Sequence, residues 1–291
     1  MQLQDNCPLK NITTLSIGGP AKKLVIVSSE KKLIEAIQYA KQNQLPYLVI
    51  GGGSNLLISD AGFDGLVIKN EITGISGMSV KSGTLLQELV DCTIKNGLSG
   101  LQKLAGIPGT IGGAVYGNAG AYGQSISDHI ISVKILNSDA LTRSDCRFAY
   151  RDSIFKKTHD IILEVIFQLE SGNPEILKKE AEEVLSKRLV KYPAGIKCPG
   201  SFFKNIIAQT LSKEILNKIP PEKIVYGKLP AGALLEEVGA KGQASDGIEI
   251  ASYHANLFIN RGSGTAKALY DLAKTYALKV KEKFAVTLEP E

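Results

Sequence analysis

Two glycine-rich segments, Gly51 to Leu57 (GGGSNLL) and Gly106 to Gly123, hold the residues best suited to chemistry. Three consecutive glycines after an apolar run let the backbone approach a ligand closely. Their N–H groups can converge on phosphate oxygens with no side chain in the way. Ser54 and Asn55 add short polar groups. The pattern is neither the G-x-G-x-x-G dinucleotide fingerprint nor a P-loop, which requires Lys followed by Ser or Thr. Taken alone it equally suits a tight strand exit. The second segment packs Gly106, Gly109, Gly112, Gly113, Gly117, Gly120 and Gly123 among Pro108, Ala114, Ala119 and Ala121. A run this bare is expected to form neither a helix nor an ordinary strand. Two such loops, each following a regular element, suit an extended cofactor with a pyrophosphate at its middle.

Single polar residues stand out less. Arg151, in AYRDS, could clamp a carboxylate through its two-pronged guanidinium, although from the local residues alone a surface ion pair is the better reading. Ser201, in PGSFFKN, has no histidine nearby in sequence to make it a nucleophile and reads as a turn residue. Glu289 and Glu291 read as frayed terminal carboxylates.

Composition removes several function classes. Among 291 residues, 34 Lys and Arg face 29 Asp and Glu, a mild and scattered excess. With no tryptophan and 6% aromatics, the basic and aromatic surface of a single-strand binder is missing, so no nucleic-acid partner is expected. Cys7, Cys92, Cys146 and Cys198 form no CxxC pair and read as reduced, buried thiols; no metal site is expected. The N-terminus has no apolar signal region and no run is long enough to span a bilayer, which predicts a soluble cytoplasmic protein without membrane insertion.

The elements that must position these residues follow from periodicity. Strands are predicted at LVIV from Leu24, at LPYLVI, at GLVIK from Gly65 to Lys69, and loosely over Ile72 to Lys81. A helix from Ser29 to Asn43 has Leu33, Ala36, Ile37 and Ala40 on one face and Ser29 as N-cap. A second, Thr84 to Asn96, carries Leu85, Leu86, Leu89, Val90 and Thr93, with Gly97 ending it. Strands ISVKIL and IILEVIFQL flank the polar insert holding Arg151, and a charged helix runs from Glu175 to Leu189. Helices around Ala208 to Lys218 and from Thr265 to Glu282 complete an α+β chain. Domains 1–180, with a subdivision near 70, and 181–291 are expected, joined in the stretch 172–190.

Six stretches in this order resemble the UDP-N-acetylenolpyruvoylglucosamine reductase family across nearly the whole chain: NITTLSIGGPA, VIGGGSNLLISDAGFDGLVI, GLSGLQKLAGIPGTIGGAVYGNAGAYG, YRDSIFK, GSFFKN and HANLFIN. The resemblance implies an FAD-binding domain of the vanillyl-alcohol-oxidase (PCMH) type followed by a smaller α+β substrate-binding domain. It implies that Gly51, Gly52, Gly53, Ser54, Asn55 and Leu56 hold the pyrophosphate of non-covalently bound FAD. Pro108, Gly109, Thr110, Gly112, Gly113, Asn118, Gly120, Ala121 and Tyr122 would pass along the rest of the cofactor. NADPH would supply hydride for reducing UDP-N-acetylglucosamine enolpyruvate to UDP-N-acetylmuramate, a peptidoglycan precursor. Arg151 matches the family's carboxylate-binding Arg, Ser201 its proton donor and Glu291 its second catalytic carboxylate. Lys204 and Asn205 match the pair facing the nucleotide sugar, with Tyr150 beside the substrate, and the chain would act as a monomer. Two departures accompany the match: the family continues past the matching Glu, and this chain lacks the long insertion after Glu170 that carries a substrate-covering Tyr, so it resembles the shorter class. Another flavin oxidoreductase of the same fold, acting on a hydroxy acid or sugar, is the alternative enzyme. A nucleotide-binding scaffold protein is the non-enzymatic one.

Overall fold

The computed structural model describes residues 1–216 and 219–291. They divide into two compact units. The first comprises Met1–Cys7, Ala21–Gly53 and Phe63–Val190; the second comprises Pro8–Pro20, Ser54–Gly62 and Lys191–Glu291.

The first unit is built on two larger sheets, beside two short two-stranded ones. In a four-stranded sheet of order Gln4–Pro8, Pro20–Val27, Phe63–Asn70 and Tyr47–Ile50, the second and fourth strands both run parallel to Phe63–Asn70. Parallel strands need a crossover, and the helix Glu30–Gln42 carries the chain from Pro20–Val27 to Tyr47–Ile50, on the far side of Phe63–Asn70. Ser29 caps it by accepting the Lys32 N–H at 3.3 Å, and the predicted face of Leu33, Ala36, Ile37 and Ala40 is buried against Val25, Val27, Leu66 and Ile68. The other sheet is antiparallel, ordered Leu141–Thr142, Ile130–Ile135, Ile162–Phe167, Ser79–Lys81 and Ile75–Ser76. Its core includes Val133, Val165, Phe155 and Phe167 together with Leu86, Leu89 and Val90 of the helix Leu86–Lys95.

Three local expectations are corrected. Leu85 is 53% exposed and lies outside the helix. Its extended backbone bridges Thr110, and Leu86 N–H donates to the Gly109 carbonyl, so the tie to the glycine loop sets the helix start. The predicted helix Ala208 to Lys218 is instead a short turn, Ala208–Thr210, then one helical turn, Lys213–Leu216, that Ser212 caps. Asn217 and Lys218 lie outside the described residues. Of the four free thiols, Cys146 and Cys198 are buried, whereas Cys7, on a mostly exposed strand, and Cys92, near a helix end, are half-exposed.

The charged helix runs over Pro174–Lys191, with proline opening it and Tyr192-Pro193 closing it, because a residue preceding proline is disfavoured in helical backbone.

The second unit packs a three-stranded antiparallel sheet (Ala244–Ser245, Ile248–Ile250, Phe258–Asn260) and the helices Ala231–Glu237 and Ala266–Phe284 around Phe202, Phe203, Phe258, Leu269 and Leu288. Leu15 and Ile17, from far upstream, share this core. Their loop is held by Asn260, whose amide donates to the Leu15 and Ser16 carbonyls at 3.0 and 3.2 Å. The segment Ser54–Gly62 is fixed by backbone contact. A Cβ on Gly62 would fall 1.9 Å from the Pro20 carbonyl oxygen, and one on Gly19 would fall 2.2 Å from that of Asp60. Asp60 also accepts the N–H groups of Ala266 and Lys267 at 2.8 and 3.0 Å, while Thr265 accepts that of Ala268 at 3.0 Å. The first three N–H groups of a nineteen-residue helix are thus satisfied by side chains, one of them an anion at the positive end of the helix dipole. Asp60→Ala should lower stability by about 1 kcal/mol, and Asp60→Asn by less because asparagine still caps, as measured by urea unfolding of the full chain.

Candidate functional site

In the first unit the two glycine segments meet. The strand Tyr47–Ile50 ends at Gly51, and a Cβ there would lie 2.2 Å from Thr110 Oγ1; one on Gly52 would lie 3.1 Å from Gly109 Cα. Gly53 is in left-handed backbone at φ 64°, and Gly109 is at φ 114°. The result is a close-packed glycine floor with no room for a side chain on Gly51, the kind of surface that lets a diphosphate approach backbone N–H groups. Ser54, Asn55 and Leu56 belong to the second unit, where the Ser54 carbonyl accepts the Thr14 hydroxyl at 3.3 Å. Thr14 also donates to the Cys198 carbonyl at 2.9 Å.

The second glycine segment departs from expectation by forming a helix, Ile111–Tyr116. Thr110 caps it by accepting the Gly113 N–H at 3.4 Å, and Ile111, Ala114 and Val115 anchor it in the core. Gly112 is needed for close approach rather than for flexibility, since a Cβ would sit 3.0 Å from that of Ser82 and the Gly112 N–H donates to the Ser82 carbonyl. Beyond the helix, Gly120 and Ala121 pair with Ser125 and Gln124 in a two-residue hairpin whose turn residues, Tyr122 and Gly123, both have positive φ. Pro108 is exposed, while Gly113 sits on the outer side of the helix.

Arg151 is built onto this hairpin. Its Nη2 donates to the Gly120 carbonyl at 2.8 Å and its guanidinium lies 5.2 Å from the Tyr150 ring centroid. Asn118, buried, donates to the Ala149 carbonyl at 2.7 Å and so ties the glycine segment to the tight turn Ala149–Asp152. Ser153 donates to the Tyr116 carbonyl at 2.7 Å, and Lys156 to the Arg151 carbonyl at 2.9 Å. Arg151 itself is left-handed at φ 54°, a conformation that a residue with a long side chain adopts only when its surroundings impose it. The loop therefore presents a cation on a rigid mount, half-buried beside the glycine hairpin.

In the second unit, Ser201, Lys204, Asn205 and Glu291 are assembled by one short ladder. Ser201 bridges Leu257, Phe203 bridges Pro290, the Lys204 N–H donates to the Glu289 carbonyl and the Glu291 N–H donates to the Phe202 carbonyl, both at 2.8 Å. Glu291 is thus an ordered, half-buried residue one strand away from Ser201, in place of a frayed end. The Lys204 ammonium lies 3.5 Å from Glu289, and the Asn205 amide oxygen accepts the Ala231 N–H at 3.2 Å. Two contacts reach the Ser201 hydroxyl, both at 3.3 Å: Lys191 Nζ and the Tyr192 hydroxyl. Neither was legible in sequence, because the charged helix was expected to end at Leu189 and nothing local gave Lys191 or Tyr192 a partner.

Asn256 explains why HANLFIN accompanies GSFFKN. Buried at 2% exposure, its side chain accepts the Phe203 N–H and donates to the Phe203 carbonyl, each at 2.8 Å, acting as one more rung of the ladder. The Asn256 N–H in turn donates to His254 Nδ1 at 3.2 Å. Burial, and next the positive charge of Lys191, push the His254 imidazole down to about 4. A histidine whose folded value lies below its unfolded value of about 6.5 contributes stability that is complete above pH ~6.5 and is lost as pH falls toward 4, because the unfolded chain takes up the proton first. Protonation would also place an N–H against that of Asn256. Unfolding midpoints measured from pH 7 to pH 4 should fall through this window, and less so in His254→Asn, which keeps an acceptor but cannot charge.

Comparison with known proteins agrees with both units. The model of an FAD binding domain matches residues 21–143, and that of the UDP-N-acetylenolpyruvoylglucosamine reductase C-terminal domain matches 192–291. The UDP-N-acetylenolpyruvoylglucosamine reductase of Solibacter usitatus is 40% identical, over 98% of this chain and 94% of its own length. That of Caldanaerobacter subterraneus is 34% identical, over 98% and 91%. The crystal structure of the Thermus caldophilus enzyme superposes with a TM-score of 0.79 at 30% identity, covering 100% of this chain and 97% of that one. Among the described residues no helix is long and apolar enough to cross a membrane. A glycine floor in one unit, a serine and a glutamate on one ladder in the other, and similarity running almost end to end place the chain in the UDP-N-acetylenolpyruvoylglucosamine reductase family.

Proposed function

We infer that this chain is an FAD-dependent oxidoreductase that reduces UDP-N-acetylglucosamine enolpyruvate to UDP-N-acetylmuramate with NADPH, a step in making peptidoglycan precursors. The observation that carries this reading, against another flavin enzyme of the same fold, is the Ser201 and Glu291 ladder, for which such an enzyme has no need. A cytoplasmic location belongs to the same reading, supported by the nucleotide-sugar substrate and the reductant, and the family resemblance adds a monomeric state.

The residues present fit FAD: the Gly51 and Gly52 floor against Gly109 and Thr110 is a cradle that any Cβ would fill. Gly51, Gly52, Gly53, Ser54, Asn55 and Leu56 would hold the pyrophosphate, and the stretch from Pro108 to Tyr122 would follow the remainder. The bound group would supply hydride chemistry, with NADPH as the source and the enolpyruvyl methylene carbon of the substrate as the destination. Negative charge then builds on the adjacent carbon and its carboxylate. Arg151, pre-positioned by the Gly120 carbonyl and its strained backbone, offers a fixed cation to that carboxylate. Ser201 donates its proton to the carbon; a hydroxyl is a weak acid, but a carbanion is basic enough to take it. Glu291 sets the polarity of the same region. Lys204 and Asn205 face the nucleotide sugar and Tyr150 packs beside the substrate.

Purified protein should be yellow and should oxidise NADPH only after the enolpyruvyl nucleotide sugar is added. A colourless protein that takes up no FAD, or one indifferent to that substrate, would end this reading. Gly51→Ala should purify largely without flavin. Ser201→Ala should leave flavin reduction by NADPH intact and slow reoxidation by substrate roughly a thousandfold, within the range for removal of a proton donor. Equal loss in both half-reactions would make Ser201 structural. Arg151→Lys should fail in the same half-reaction, since a point charge cannot reproduce a two-pronged grip; normal turnover would remove Arg151 from the mechanism.

A further inference from the structure

The hydrogen-bond geometry around Ser201 has a direct chemical consequence. A serine hydroxyl offers one O–H and two acceptor lone pairs. Lys191 Nζ, a pure donor, lies 3.3 Å from Ser201 Oγ, and the Tyr192 hydroxyl lies at the same distance on the chain's next residue. When both donate, both lone pairs are filled. The Ser201 O–H must then point away from them. Gly200, just before it, has φ 92° and would meet nothing within 4 Å even with a Cβ, so the space on that side is open.

We propose that Tyr192 is the proton relay of Ser201, restoring the proton that the serine gives to the substrate. This rests on the proton-donor role of Ser201 argued above. As the new C–H bond forms at the substrate carbon, the Ser201 O–H breaks, and in the same transition state negative charge growing on Oγ draws the Tyr192 proton toward it. The Tyr192 O–H proton passes to Oγ, and the phenolate takes a proton from solvent water, which reaches it because Tyr192 is half-buried; the hydroxide left is neutralised by the bulk buffer, so one solvent proton is consumed per turnover. The transfer runs downhill, since the ring delocalises a phenolate's charge and makes it a weaker base than an alkoxide. The Lys191 ammonium, within reach of Oγ and 5.0 Å from the Tyr192 ring centroid, stabilises the anion in either place. At 3.3 Å both contacts are long, and they shorten as charge grows on Oγ. Tyr192 is held for this task by its place between the helix end at Lys191 and Pro193.

Tyr192→Phe keeps the ring over the lysine and deletes only the hydroxyl. In stopped-flow absorbance, its flavin should be reduced by NADPH at the parent rate. Reoxidation by UDP-N-acetylglucosamine enolpyruvate should slow by roughly 100-fold, the low end for an acid–base group. The decisive readout is the rate of reoxidation in mixtures of light and heavy water. Two protons in flight give a bowed dependence on deuterium fraction in the parent, and loss of the relay should make it linear in Tyr192→Phe. A linear dependence already in the parent, or an unchanged bowed one in the variant, overturns the relay. So does a raised KM with unchanged kcat, which would assign Tyr192 to substrate binding. A parent protein that fails to reoxidise with this substrate at all would instead refute the proposed reaction, and a normally reoxidising Ser201→Ala would refute the donor.

Discussion

The arrangement of the two glycine segments depends on how closely they pack. A Cβ on Gly51 would fall 2.2 Å from the Thr110 side-chain oxygen, and one on Gly52 would fall 3.1 Å from Gly109 Cα. That contact fixes where the strand Tyr47–Ile50 ends, and the same glycine loop, through the Gly109 carbonyl, fixes where the helix Leu86–Lys95 begins. The following helix and hairpin then set the carbonyl that holds Arg151. Close-packed interiors resist even small volume changes, so one added methyl here would be felt along the whole sequence of contacts.

Much of this was legible in the residues. Amphipathic spacing located the helices Glu30–Gln42, Leu86–Lys95 and Ala266–Phe284, because the buried face of each is set by the same 3.6-residue period that the sequence displays. The glycine cradle was legible as a need for close approach. The helix inside the second glycine segment was hidden for a physical reason: Gly112 and Gly113 are poor helix formers alone, and the burial of Ile111, Ala114 and Val115 outweighs their propensity. Leu85 misled because the tie between its backbone and Thr110 outranks the apolar pattern.

The serine end was legible only through family resemblance. Nothing local in GSFFKN or LEPE says that they pair, and a ladder between residues nearly ninety apart leaves no periodic trace. The clamp from Asn256 is likewise a long-range match of one amide side chain to one peptide group. Arg151 gained its meaning from its mount, since left-handed backbone in a non-glycine residue marks a position that the surroundings over-determine.

The second unit is not a continuous stretch of chain. It is completed by Pro8–Pro20 and Ser54–Gly62, whose contacts with Asn260, Ala266 and Lys267 span more than two hundred residues. Closing loops of that length carries an entropic cost before any contact rewards it, which makes such topologies slow to fold. The residues from Lys191 onward, cut out as a contiguous fragment, would therefore carry Ser201 and Glu291 yet lack Leu15 and Ile17 from their core and the aspartate that caps their longest helix. During synthesis, the outer half of the first glycine loop has no mount until the last hundred residues exist, so Ser54, Asn55 and Leu56 settle only at the end of folding.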